Sequence, residues 1–137
     1  MKMLELLQSL NYWAVLTGTA VYFFLGALWY SVLFSNLWMK LRGITEQDIG
    51  DPNPVIFIWT FLLQLVAVVS LALFLSAMNV TSLSAGAITG FGAGAGLVFT
   101  LSGTTGLFSR TSLPLHLVDN GYHVLGLTLA GSILGAW

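Results

Sequence analysis

Apolar residues fill four long stretches of this chain, and polar residues gather in the short connections between them. The stretches run from about Tyr12 to Phe34, Pro54 to Met78, Ser84 to Phe108 and Leu113 to Trp137. A helix crosses about 30 Å of hydrocarbon with roughly 20 apolar residues, so each stretch predicts one crossing. The expected fold is all-α: an integral membrane four-helix antiparallel bundle, a single transmembrane domain over residues 1–137. The opening residues Met1 to Leu10, with Lys2, Glu5 and Gln8 among leucines, read as an amphipathic piece in the interface. The first long stretch does not read as a cleaved leader, because it exceeds a signal h-region and Glu5 stands where a basic n-region is expected.

The connections carry helix punctuation. Asn36 to Leu41 predicts a short interfacial helix in the first loop, ended by Gly43 as a left-handed cap. Thr45 followed by Asp48 resembles a weak capping pair. Asp51-Pro52-Asn53-Pro54 is a stop and restart, with Asn53 capping the next helix and Pro54 in its first turn. Ser112 plays the same part for the last helix. Aromatic residues mark two headgroup belts: Tyr12, Trp13 and Trp137 in one, Trp29, Tyr30, Trp38 and Trp59 in the other. Tyr12 and Trp29 would stand about 25 Å apart along a helix, which suits a bilayer.

Composition sharpens this picture. Only 7% of the 137 residues are charged and 57% are hydrophobic, with a mean hydropathy of +0.91. An ordinary soluble domain has roughly 25% charged residues. A soluble globular domain, a disordered tail and a nucleic-acid binder are excluded, the last because a net charge of -1 offers no basic patch. Cysteine is absent, which removes disulfides and thiolate chemistry. Lys40, Arg42 and Arg110 fall on one side of the expected bundle and Lys2 on the other. By the positive-inside rule the long loop is expected on the cytoplasmic side, and the expected location is the cell's inner (cytoplasmic) membrane.

Two patterns within the apolar stretches stand out. The third stretch carries Gly86, Gly90 and Gly94 in one row and Gly92 and Gly96 in another. Such spacing brings helix backbones together in lipid, within one chain or between copies. The fourth holds His116, Asp119, Asn120, Tyr122 and His123. His116, Asp119 and His123 fall at i, i+3 and i+7, on one helical face. Asp119 would lie roughly 9 Å and His123 roughly 15 Å from the helix start. Ionisable groups at such depth face protein and find partners. Asp119 and His123, one turn apart, are expected to act as one unit. Three readings stay open for the cluster: interhelical bonding to Gln64, Tyr22, Tyr30 or backbone, a proton or ion relay, and a ligand or lipid site. Two His and one Asp are metal-ligand types, but His116 and His123 stand roughly 10 Å apart on one stripe, so no metal site and no cofactor are expected of a single chain.

Several runs carry a family resemblance. They are Asn11-Tyr12-Trp13-Ala14-Val15, Gly26-Ala27-Leu28-Trp29-Tyr30-Ser31, Trp38-Met39-Lys40, Asn120-Gly121-Tyr122-His123 and the closing Gly131-Ser132-Ile133-Leu134-Gly135-Ala136-Trp137. With these the chain resembles the DUF1761 family, bacterial four-helix membrane proteins of unknown function, over nearly its whole length. The resemblance implies a membrane location and draws attention to Trp29, Tyr30, Asn120, Tyr122 and His123. It implies no reaction, substrate or cofactor.

With no room for a soluble domain, the expected role is a non-enzymatic membrane component, a homo-oligomer or a part of a larger membrane complex in the lipid bilayer. The alternative is a small transporter or channel with an intramembrane proton or ion site at Asp119 and His123. An intramembrane enzyme is the third class, with no substrate signal behind it.

Overall fold

The computed structural model describes residues 2–137, which are all-helical, with no strand among them. A short α1 (Met3–Ser9) leads into α2 (Tyr12–Leu28), which a π-helical turn (Trp29–Leu33) extends. The first loop holds α3 (Ser35–Arg42) and α4 (Glu46–Ile49), and α5 (Pro54–Ala77) follows. The third long rod is α6 (Leu83–Ala93), a second π-helical turn (Gly94–Val98) and α7 (Phe99–Phe108). The last is α8 (Leu113–Ala136).

Local chemistry accounts for these boundaries. Asn11 accepts from the backbone N–H groups of Trp13 and Ala14 at 3.1 and 3.2 Å and so starts α2. Asn53 accepts from Val55 N–H at 3.0 Å with Pro54 in the first turn of α5. Ser112 accepts from Leu115 N–H at 3.4 Å and caps α8. Gly43 ends α3 in the left-handed region, at φ 68°, which glycine enters without steric cost. The two π-helical turns have no counterpart in the apolar pattern, which does not distinguish 3.6 from 4.4 residues per turn over five residues.

Three rods are long and apolar enough to cross a membrane: Tyr12–Leu33, Pro54–Ala77 and Leu83–Phe108. The equally long α8 is not among them, because His116, Asp119, Asn120 and His123 lower its hydropathy. It is nevertheless the hub, packing against α2, α5, α6 and α7. Gly18 of α2 meets both Ala130 of α8 and Val68 of α5. On the outside, large apolar side chains are exposed along every long rod, Trp13, Phe24, Leu63, Ile88, Leu107 and Leu117 among them. Water would penalise such a surface heavily, whereas lipid would not.

Polarity divides the interior along its length. Towards the start of α2 and the end of α8, Val15, Val68 and Ala130 are fully buried and pack with Leu71, Leu75 and Leu127. Towards the other end, the interior holds Gln64, His116, Asn120 and Tyr122, all buried, with Asp119 and His123 half-buried beside them.

Contact between α6 and α8 is unusually close. A side-chain carbon at Gly86 would collide with the backbone of Gly131, one at Gly90 with Leu127, and one at Gly94 with Val124. Gly131 and Gly135 of α8 are equally tight against Gly86 and Ser82. The first glycine row is therefore occupied within the chain. The second row points away: at Gly92 and Gly96 an added carbon meets nothing within 4 Å.

Candidate functional site

The polar residues of α8 form two groups that face different neighbours. The first is a cleft of about 270 Å³ between the end of α7 and the start of α8. One wall bears the hydroxyls of Ser102, Thr105, Ser109 and Thr111, and the other bears His116, Asp119 and Asn120. Ser109 and Thr111 are exposed in the connecting turn, so the cleft opens at that end.

Asp119 is tied from behind. Its Oδ1 accepts from Tyr30 Oη–H at 2.9 Å and from Trp38 Nε1–H at 3.1 Å. The first π-helical turn supplies Tyr30, and α3 supplies Trp38. Neighbouring Trp29 donates Nε1–H to Val118 O at 3.0 Å. In a regular helix consecutive side chains diverge by about 100°; the wider π turn lets Trp29 and Tyr30 both bond to α8. Of the expected belt residues, Trp29, Tyr30 and Trp38 thus reach inward onto α8, while Trp13, Trp59 and Trp137 are exposed. Arg42 lies over the Trp38 ring, 5.3 Å from its centroid.

Asn120 donates Nδ2–H to backbone O of His116 at 3.1 Å, and the same nitrogen lies 2.9 Å from His116 Nδ1. Since a carbonyl can only accept, the nitrogen assignment of this amide is fixed. His116 Nδ1 therefore accepts, and the ring hydrogen is on Nε2. Nε2 faces Gly103 across the cleft wall, and Phe99 meets the ring edge-on at 4.4 Å. Asn120 Oδ1 and Asp119 Oδ2 accept no hydrogen bond from the described residues.

The second group lies deeper. Tyr22 Oη and His123 Nδ1 are 2.5 Å apart. The Tyr22 and Tyr122 rings stack at 5.3 Å with planes 14° apart. Gln64 Nε2–H donates to Tyr122 Oη, and Gln64 Oε1 is buried without a partner. Gly126 gives Tyr22 its place, because a side-chain carbon there would overlap the ring.

Asp119 and His123, expected to form one unit, hold separate partners: Tyr30 and Trp38 for the carboxylate, Tyr22 for the imidazole. The hydroxyl wall is absent from the polar pattern expected of the last helix, because it belongs to α7 and the turn after it. Its signal was present, since Ser102, Thr105 and Ser109 repeat the i, i+3, i+7 spacing of His116, Asp119 and His123. Among the described residues no three imidazole or carboxylate groups gather closely enough to hold a metal ion.

The profile of a family described as "Protein of unknown function (DUF1761)" matches residues 13–135. This chain belongs to the DUF1761 family. The match takes in α2 through α8 and so includes both polar groups. Comparison with curated proteins and with solved structures found no match. Membership in DUF1761 thus carries the family and no reaction, and the site's chemistry rests on its own geometry.

Proposed function

We propose that this DUF1761 protein is a four-helix antiparallel membrane bundle of the transporter or channel class, with Asp119 as a cation site reached from one membrane face. The single observation behind this reading is the state of Asp119. One carboxylate oxygen is held by Tyr30 and Trp38, and the other is uncommitted beside an open polar cleft. A carboxylate used only to join helices would have both oxygens bonded, since an unsatisfied ionised group in an apolar surrounding is costly. Beyond the cleft, Val15, Val68 and Ala130 fill the interior, which suits a carrier open to one side better than a continuous pore.

The fourth crossing is assigned to α8 because its polar residues are turned towards its neighbours and its length equals that of α5. Lys40, Arg42 and Arg110 favour the cytoplasmic side for the cleft mouth and the inner membrane as the location. Lys2→Cys and Trp137→Cys should react with an impermeant maleimide from the same side, and opposite-side labelling would overturn the four crossings. Function is tested in proteoliposomes with sodium, potassium, proton and methylammonium gradients, read by a potential-sensitive dye. At least one flux should exceed that of empty vesicles and be abolished in Asp119→Asn. Flux equal to empty vesicles for every cation, or insensitive to Asp119→Asn, would overturn the reading.

Self-association is a second reading, favoured by the unoccupied row at Gly92 and Gly96. Light scattering of the purified protein measures it directly, and a monomer in mild detergent would remove it.

A further inference from the structure

We infer that the guest of the α7–α8 cleft is a small organic molecule bearing a primary ammonium group, of the ethanolamine type. The inference rests on the cation-site reading of Asp119 and adds the class of cation.

Three observations carry it. The inner wall offers two free acceptors, Asp119 Oδ2 and Asn120 Oδ1, beside one free donor, His116 Nε2–H, and Asn120 is more than nine-tenths buried. Two acceptors one residue apart, one of them charged, match a group with several N–H donors. An ammonium has three and no acceptor. The facing wall has hydroxyls, which donate or accept, so a guest with its own hydroxyl is satisfied at its far end. Size is the third observation. A cleft of about 270 Å³ exceeds many times the volume of a bare monovalent ion. At about 30 Å³ per water in the liquid, it admits a molecule of several heavy atoms together with a few waters.

Charge around the site is compatible. The positive end of the α8 dipole acts mainly over the first turn, and Asp119 lies beyond it. Arg110 stands in the turn at the mouth with its side chain exposed to solvent, where salt screens it within about 10 Å. Acetate and other anions would instead face the Asp119 carboxylate.

The same ammonium chemistry has two sources: free amine from the aqueous phase, or the headgroup of an aminophospholipid entering from the leaflet. Purified full-length protein in detergent is titrated with ethanolamine, choline, sodium chloride or sodium acetate at constant ionic strength, and the unfolding temperature is followed. Ethanolamine should raise it saturably, while choline, which has no N–H donor, sodium and acetate should not. Losing a hydrogen bond to a charged group weakens binding by about tenfold or more, so Asp119→Asn should remove the ethanolamine effect. Thr105→Val, which leaves the bonds of Asp119 intact, should weaken it severalfold. Wild-type discrimination among the four solutes stands even if Asp119→Asn does not fold. In nanodiscs, ethanolamine acting equally in phosphatidylethanolamine and phosphatidylcholine discs identifies the free amine. Stabilisation by phosphatidylethanolamine, with no further effect of ethanolamine, identifies the headgroup. Saturation by sodium at least as tight as by ethanolamine would overturn the ammonium inference and leave the cation site standing. Preference for choline would overturn it on hydrogen bonding. Saturation by acetate, or by none of the solutes at ordinary salt concentrations, would overturn both.

Discussion

Tyr30 and Asp119, 89 positions apart in sequence, are joined by a 2.9 Å hydrogen bond from the phenol to the carboxylate. This bond links the end of the first long rod to the start of the last. Trp38 donates to the same oxygen, so the first loop is fastened to the cleft through α3. A movement of α3 would be felt at Asp119, and the loop and the cleft should respond together to any occupant.

The partner assignments predict which residue pairs are coupled. Removing the Tyr30 hydroxyl in Tyr30→Phe should cost about 1.5–3 kcal/mol, as expected for a hydrogen bond to a charged group. A double-mutant cycle of Tyr30→Phe with Asp119→Asn should be non-additive by at least about 0.5 kcal/mol. The cycle of Asp119→Asn with His123→Gln should lie closer to additivity, because the two residues share no partner. Equilibrium unfolding in detergent measures all four states. Strong coupling of Asp119 to His123 together with additivity for Tyr30 and Asp119 would contradict the described bonding.

Much of the fold is legible from residues whose structural consequences are local. Asn53 before Pro54, Ser112 before Leu113 and the glycine at position 43 each act within one turn, and each boundary falls within about a residue of its expected place. The candidate site was legible only in part. His116, Asp119 and Asn120 are visible as polar residues in an apolar stretch, but their partners come from distant segments. Trp29, Tyr30 and Trp38 have the composition of a headgroup belt, and only the π-helical turn and the placement of α3 bring them onto α8. Similarly, the glycine spacing announces close helix approach without saying which helix. The backbone of α8 answers that at Gly131, Leu127 and Val124.

In the first loop, the Asp48 carboxylate accepts from Thr45 N–H at 2.7 Å and from the Thr45 hydroxyl at 2.9 Å. These bonds hold its pKa below the usual 3.8. A carboxyl group with a depressed folded value stabilises the fold above its unfolded value, and that contribution disappears as pH falls through the lower folded value. The start of α4 should therefore be intact at neutral pH and fray on acidification below about pH 4. The Thr45 amide resonance should shift through this window in wild type. It should lack that titration in Asp48→Asn. Because Asp48 is solvent-exposed, global unfolding should be little affected.

Tyr22 and His123 are held together by what Gly126 leaves out. Gly126→Ala would push a methyl group into the Tyr22 ring and draw its hydroxyl from His123 Nδ1. Overpacking of this kind costs typically 1–3 kcal/mol. The imidazole resonances of His123 should move in the same direction in Gly126→Ala and Tyr22→Phe, since both remove one hydrogen-bond partner. Unchanged His123 resonances in both variants would mean that the bond is not formed in the membrane-embedded protein.

The two glycine rows offer the sharpest contrast, because they lie on one rod and differ only in direction. At Gly86 and Gly90 a side-chain carbon meets the α8 backbone, which cannot rotate away. Gly86→Ala and Gly90→Ala should each destabilise by about 1–3 kcal/mol, and Gly90→Leu should prevent α6 and α8 from seating. At Gly92 and Gly96 the added carbon meets nothing. There alanine should be neutral or stabilising by up to about 1 kcal/mol, as for a helical glycine replaced without strain. Thermal unfolding in detergent separates the rows, and the oligomeric state adds a second comparison. If Gly92→Leu and Gly96→Leu dissociate an assembly without lowering monomer stability, that row is an interface between chains. If they change neither, the row faces lipid, and close packing by glycine in this rod serves only the α6–α8 contact.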